Sequence, residues 1–264
     1  MRSMTRRCTS WLARSSAAFA LLAAGAAYAD PLDTLVASYP GKIARRDGNT
    51  LIFRDGTHIN AGIIDPHKPF DQLLRNASVR EQFLIYYPRD TEITPPIKDY
   101  DPGRFRNEAF FNALYGDCRK GDVTKQLAPV VWLPKHWGHT VMVTRANGVA
   151  EHLRAVSAEL DALPNNIARA AYPTAGTYVC RPVKDTGRLS MHSYGAGIDL
   201  NLKFSNYWLW KAKGGNIPYR NAMPRPIVDV FERHGFIWGG RWYHYDTMHF
   251  EYRPELLAAS AAPR

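Results

Sequence analysis

Apolar positions in the second half of the chain recur with two periods. Val149, Leu153, Val156, Leu160 and Leu163 follow spacings of four, three, four and three, which put all five on one helical face. Asn147 stands where an N-cap belongs, and Pro164 stands where the helix must end. Residues 106–115 read as a shorter helix stopped by Gly116, and residues 226–234 as another, opened by proline and closed by Gly235. Residues 130–133, 140–143, 177–180, 197–202, 236–238 and 249–252 have the short apolar character of strands.

The first half is patterned differently. Residues 42–44 and 50–53 are apolar runs, each followed by an Asp-Gly pair (Asp47-Gly48, Asp55-Gly56), the signal of hairpins. Residues 69–83 read as a helix. Tyr87-Pro88, Pro95-Pro96 and Asp101-Pro102-Gly103 then punctuate a linker or long strap. Helices and short strands in this mixture predict an α+β protein, a small sheet with flanking helices. The composition shift places a boundary near residue 104, separating an N-terminal accessory region (30–104) from a C-terminal domain (105–264).

The first 29 residues stand apart. Arg2, Arg6, Arg7 and Arg14 form a basic segment, an Ala/Leu-rich run follows, and Ala27-Tyr28-Ala29 reads as a cleavage site: the pattern of a secretory signal peptide. Its apolar run is too short for a membrane span, and no later segment is long enough for one. The expected mature protein is exported, to the periplasm in a two-membrane cell.

Export changes the meaning of charge and cysteine. The leader removes four of 34 basic residues and no acid, which leaves 30 bases against 24 acids. A basic protein outside the cytoplasm meets anionic envelope polymers, not nucleic acid. Cys118 and Cys180 can form one disulfide in an oxidising compartment or remain two buried thiols; their spacing does not suit a zinc knuckle. Oligomeric state is not legible in the sequence.

Two segments carry chemistry. One runs from Ser190 through His192, Gly195 and Gly197 to Asp199; the other runs from Trp238 through His244 and Asp246 to His249 and Glu251. A catalytic zinc takes three N or O ligands and keeps one position open. His192, Asp199 and His249 supply two imidazoles and a carboxylate, and the glycines between His192 and Asp199 allow the chain to turn back. Asp246, three residues before His249, suits the base that takes a proton from an attacking water. Arg181 suits a substrate carboxylate or a developing oxyanion. Strand alternation would turn His244 away from His249, which leaves it a role at the cleft edge or none rather than metal ligation, whereas Glu251 would share the face of His249. Ser190 reads as a hydrogen-bonding brace, and Trp208, Trp210, Trp238 and Trp242 as core or cleft wall. His58, His67, His136, His139, His152 and His234 read as ordinary surface or core histidines.

These segments resemble the VanY-like zinc peptidases, the D-Ala-D-Ala carboxypeptidases and L-Ala-D-Glu endopeptidases of peptidoglycan. The pattern S-x-H-x-x-G-x-A-x-D is matched at Ser190, His192, Gly195 and Asp199, and D-x-x-H-F-E at Asp246, His249, Phe250 and Glu251; Gly197 departs from the alanine of the first pattern. The resemblance implies a Hedgehog/DD-peptidase-like core, Zn2+ on His192, Asp199 and His249, Asp246 as general base, and Arg181 as the substrate-polarising arginine. It further implies a zinc metallopeptidase acting on peptidoglycan stem peptides. The alternative is a zinc-bearing cell-wall binding module without activity, which would tend to lack the base at position 246.

Overall fold

The computed structural model describes residues 30–184, 186–210, 212 and 217–261; the leader segment 1–29 lies outside the described residues. The elements in chain order are α1 (Pro31–Ser38), β1 (Ile43–Asp47), β2 (Thr50–Phe53), β3 (His58–Asn60), α2 (Phe70–Asn76), α3 (Glu108–Tyr115), β4 (Leu127–Trp132) and β5 (His139–Thr144). They continue with α4 (Val149–Asp161), α5 (Asn165–Ala168), β6 (Gly197–Asp199), α6 (Arg225–Arg233), β7 (Phe236–Trp238), β8 (His249–Tyr252) and α7 (Pro254–Ala261). They form a three-stranded sheet β1-β2-β3, a hairpin β4-β5 and a three-stranded sheet β6-β8-β7, all antiparallel. This mixture of helices and small antiparallel sheets is α+β.

The patterned elements follow from their residues. Val149, Leu153, Val156 and Leu160 of α4 are fully buried, with Leu163 packed at the edge of the same cluster. Helix α3 begins at Asn107, whose side chain accepts from the Phe110 amide, and ends at Gly116 in a conformation with φ of 90°. The loop between β4 and β5 is fastened to α4. Asp161 accepts from the amides of Lys135 and His136 and pairs with the His136 ring at 2.8 Å.

Four sequence expectations need correction. Residues 177–180 form no strand. A single bridge joins Gly176 to Asp199, after which Cys180 is tied to Cys118 by a disulfide and the chain bridges again only at Pro182 with Leu189. The strand expected over 197–202 stops at Asp199, because Asn201 turns inward to donate to the carbonyls of Arg169 and Tyr172. The helix expected over 69–83 breaks at the extended Ala77 and resumes as a short tight turn, Arg80–Phe83, where Ser78 and Glu81 exchange side-chain and amide hydrogen bonds. Asn147 does not cap α4. It adopts a left-handed conformation and donates to the Leu114 carbonyl, and Gly148 takes the cap position.

The strap brings the two halves together. Leu32, Leu35, Ile43, Leu51, Phe53 and Val79 belong to the same buried cluster as Phe110, Val156, Phe231 and Phe250. Polar contacts match this packing. Tyr39 donates to Glu255 at 2.6 Å, Tyr87 donates to Glu232 and accepts the Trp238 amide, and the Trp242 indole donates to the Pro102 carbonyl. At Gly103, with φ of 89°, an added Cβ would lie 2.5 Å from Ile237, so only glycine lets the strap approach this closely. No helix among the described residues is long and apolar enough to cross a membrane.

Candidate metal centre and cleft

The register of β6 against β8 sets the site. Asp199 pairs directly with His249 across the ladder, so their side chains emerge side by side. His192 arrives from the tight turn Met191–Tyr194, whose first amides are capped by Ser190 and whose exit is Gly195 at φ 65°. The three side chains offer ligand atoms that all lie within 4.8 Å of one another. Asp199 Oδ1 is 2.9 Å from His249 Nδ1 and 3.2 Å from His192 Nε2, and the two ring nitrogens are 3.2 Å apart.

Each imidazole is fixed from behind. His192 Nδ1 hydrogen-bonds the Thr177 carbonyl, and His249 Nε2 lies 3.1 Å from Glu251 Oε2. Glu251 is fully buried between Arg106 and Arg253, and Arg253 also binds Glu255. This is the outer support that holds a metal-ligating histidine in one tautomer and one orientation. Gly197 packs against the cluster: a Cβ there would meet His249 Cε1 and the His192 amide, both at 3.3 Å, which gives the departure from alanine at this position a steric reason.

The electrostatics call for a cation. Burial opposes a charge on Asp199, yet its hydrogen bonds to His192 and His249 hold it far below the ordinary carboxylate range. Burial likewise opposes charge on Glu251, but Arg106, His249 and Arg253 hold it at about 2. For His249, burial disfavours the imidazolium, and the flanking carboxylates of Asp199 and Glu251 overcome it and raise the ring to about 10. A cluster that retains a proton this firmly is one where positive charge is stabilised, and a metal ion would take the proton's place.

Asp246 faces the same cavity as the three ligand candidates. Burial, reinforced by repulsion from Asp199 and opposed by His249, raises its carboxyl to about 6. Its Oδ1 is buried without a hydrogen-bond partner among the described residues, an unsatisfied acceptor of the kind that functional sites retain. The donor set and this orphaned atom together fit a divalent ion, which His192, Asp199 and His249 would hold.

The cavity wall is cationic. Arg181 is exposed on it, its backbone amide donating to Ser193 Oγ and its carbonyl accepting from the Ser190 amide; Arg104, Arg106 and Arg188 lie on the same wall. Trp208 and Trp242 line the cavity, Trp238 is fully buried in the core, and Trp210 is exposed. His244 also lines the cavity, outside the ligand cluster. The alternation argument fails for it because the chain turns between Tyr243 and Thr247 before β8 begins, so no continuous strand links His244 to His249. Sequence reasoning missed Arg104, Arg106 and Arg188, which lie in no motif and reach the cleft from the strap and the loop before His192. It also missed Asp101, which binds His244.

Residues 184–252 match a family model described as D-alanyl-D-alanine carboxypeptidase. The match contains His192, Asp199, Asp246 and His249 and begins three residues after Arg181. No curated protein and no solved structure gives a match to the chain. The segment that builds the candidate metal cluster thus combines VanY-like motifs in sequence with converging geometry in space, and over residues 184–252 it is similar to the D-alanyl-D-alanine carboxypeptidase family.

Proposed function

We propose that the protein is an exported, zinc-dependent peptidase that hydrolyses peptide bonds in the stem peptides of peptidoglycan, built on a Hedgehog/DD-peptidase-like core with residues 30–104 as its accessory region. One observation carries this reading: His192, Asp199 and His249 converge within 4.8 Å on the cavity where the buried Oδ1 of Asp246 has no partner among the described residues. Zinc bound by those three residues would polarise the scissile carbonyl and acidify a water. Asp246 takes the proton of the attacking water and delivers it to the leaving amine; an elevated carboxyl pKa suits both directions of transfer. Nearby positive charge lowers that pKa, so the loaded site keeps Asp246 ionised near neutral pH. Arg181 holds a substrate carboxylate or the oxygen that becomes negative during attack.

The Cys118–Cys180 disulfide supports an oxidising location, and peptidoglycan lies there. With an aspartate at position 246 in the place of a glutamate, the site resembles the L-Ala-D-Glu branch of the VanY-like peptidases more, whereas the matched family model is described by the D-Ala-D-Ala bond. Digestion of defined muropeptides separates the two by the mass of the product. The inactive binding-module alternative is disfavoured by the retention of Asp246 in the cavity. Loss of all cleavage by a folded, zinc-loaded protein would restore it.

A further inference from the structure

His244 is built into the cleft with more care than a rim histidine needs. Its partner Asp101 comes from the strap, is fully buried, and has both carboxylate oxygens committed. Oδ1 accepts the His244 amide at 3.0 Å, and Oδ2 accepts the His244 ring at Nδ1 at 2.6 Å and Arg104 Nη1 at 3.0 Å. The ring is walled by aromatics: Phe70 is stacked at 6.0 Å, Trp208 meets it edge-on at 4.7 Å, and Tyr243 meets it at 4.9 Å.

The chemistry of this pair is one-sided. An ionised carboxylate only accepts, so Nδ1 carries the hydrogen and Nε2 is left as the ring's second hydrogen-bonding atom. His244 lines the same cavity as Asp246, two residues further on, and as the metal cluster. Phe70, Trp208 and Arg104 extend that wall into an adjoining depression past His244, so the ring stands where an elongated substrate leaving the reaction centre would pass.

We propose that His244 is a substrate-positioning residue: Asp101 locks its ring so that Nε2 hydrogen-bonds the peptide backbone beside the scissile bond. The strap of the N-terminal region thereby takes part in substrate recognition. The proposal rests on the peptidase reading for its substrate. Its experiment is arranged so that the two can fail separately.

Chelator-sensitive cleavage of a stem pentapeptide by the wild-type protein checks the peptidase reading alone. His244→Ala, His244→Asn and His244→Gln are then compared in two ways. One is by KM and kcat. The other is by affinity of the zinc-loaded Asp246→Asn protein for the intact pentapeptide, which reads positioning even if cleavage fails. Asparagine keeps a donor where Nδ1 meets Asp101 but leaves the Nε2 position empty; glutamine reaches toward the Nε2 position. The expected result is an affinity loss and a KM increase of about tenfold for Ala and Asn, the scale of one hydrogen bond. kcat should stay within about threefold, Gln should recover much of the loss, zinc content should be unchanged, and the melting temperature of the Asn variant, which keeps the donor to Asp101, should stay close to wild type. An Asn variant equal to wild type would make the pair a mere staple for the strap and overturn the proposal. So would a defect confined to kcat.

Discussion

The metal cluster and the cleft wall around it are built by opposite strategies. The cluster is made of residues close in sequence or paired in one ladder, each ring fixed by a second partner, with Glu251, Arg106, Arg253 and Glu255 forming a buried chain of alternating charge behind it. The wall is assembled from afar: Asp101 and Arg104 from the strap, Arg181 and Arg188 from the irregular segment before His192, Trp208 from the loop after β6. Reaction geometry must hold to fractions of an ångström, and short-range pairing supplies that rigidity. Recognition has to reach further along the substrate, and long segments supply reach. On the proposed function, the chemistry is local and the specificity distributed.

The contrast is sharpened most by Asp246→Asn. With Asp246 as the proposed base, its loss should lower kcat by about 10²–10⁴-fold while zinc binding and stem-peptide affinity persist, checked by steady-state kinetics beside equilibrium dialysis. Glu251→Gln probes the support behind the cluster. Removing one charge from a buried chain that also holds Arg106 and Arg253 should cost about 3 kcal/mol of stability. It should also weaken zinc affinity roughly 10- to 100-fold, read by denaturant melts and competition with a chelating dye.

On the wall side, the disulfide fastens the segment that presents Arg181. Cys118→Ser with Cys180→Ser should cost about 2–4 kcal/mol, given the 62-residue separation of the two cysteines. KM should rise more than kcat falls, because the metal cluster does not depend on that tether. Equal losses in both would place the tether under the chemistry instead.

The smallest effect lies away from both regions. Burial opposes ionisation of Asp161, but hydrogen bonds from the His136 ring and from the Lys135 and His136 amides hold its pKa below the ordinary value. A depressed carboxylate stabilises the fold above its unfolded pKa, and that stability is lost as pH falls through the folded value. Asp161→Asn should cost about 1 kcal/mol at neutral pH and flatten the acid side of the stability profile, with activity unchanged. Melts between pH 3 and 7 would reveal it.

The same contrast explains what could be read from the chain alone. His192, Asp199, Asp246 and His249 sit in two short runs with diagnostic spacing, and the helix of Val149 to Leu160 announces itself by period. Asp101 carries no such mark, because only the strap's path brings it to His244 across 143 residues. Helices α1 and α7 were equally silent: they are eight residues each and form by packing against one another and against β1 and β7. Residues 177–180 looked like a strand because local apolar character does not reveal a distant disulfide.

The most direct measurement is mass spectrometry of defined muropeptides incubated with the mature protein, with and without chelator, beside Asp246→Asn. The account predicts a new product, either loss of a terminal D-amino acid or scission between L-Ala and D-Glu, abolished by chelator, restored by zinc and absent with the variant. Intact muropeptides after incubation with folded, zinc-loaded protein, or cleavage that persists in chelator, would contradict it.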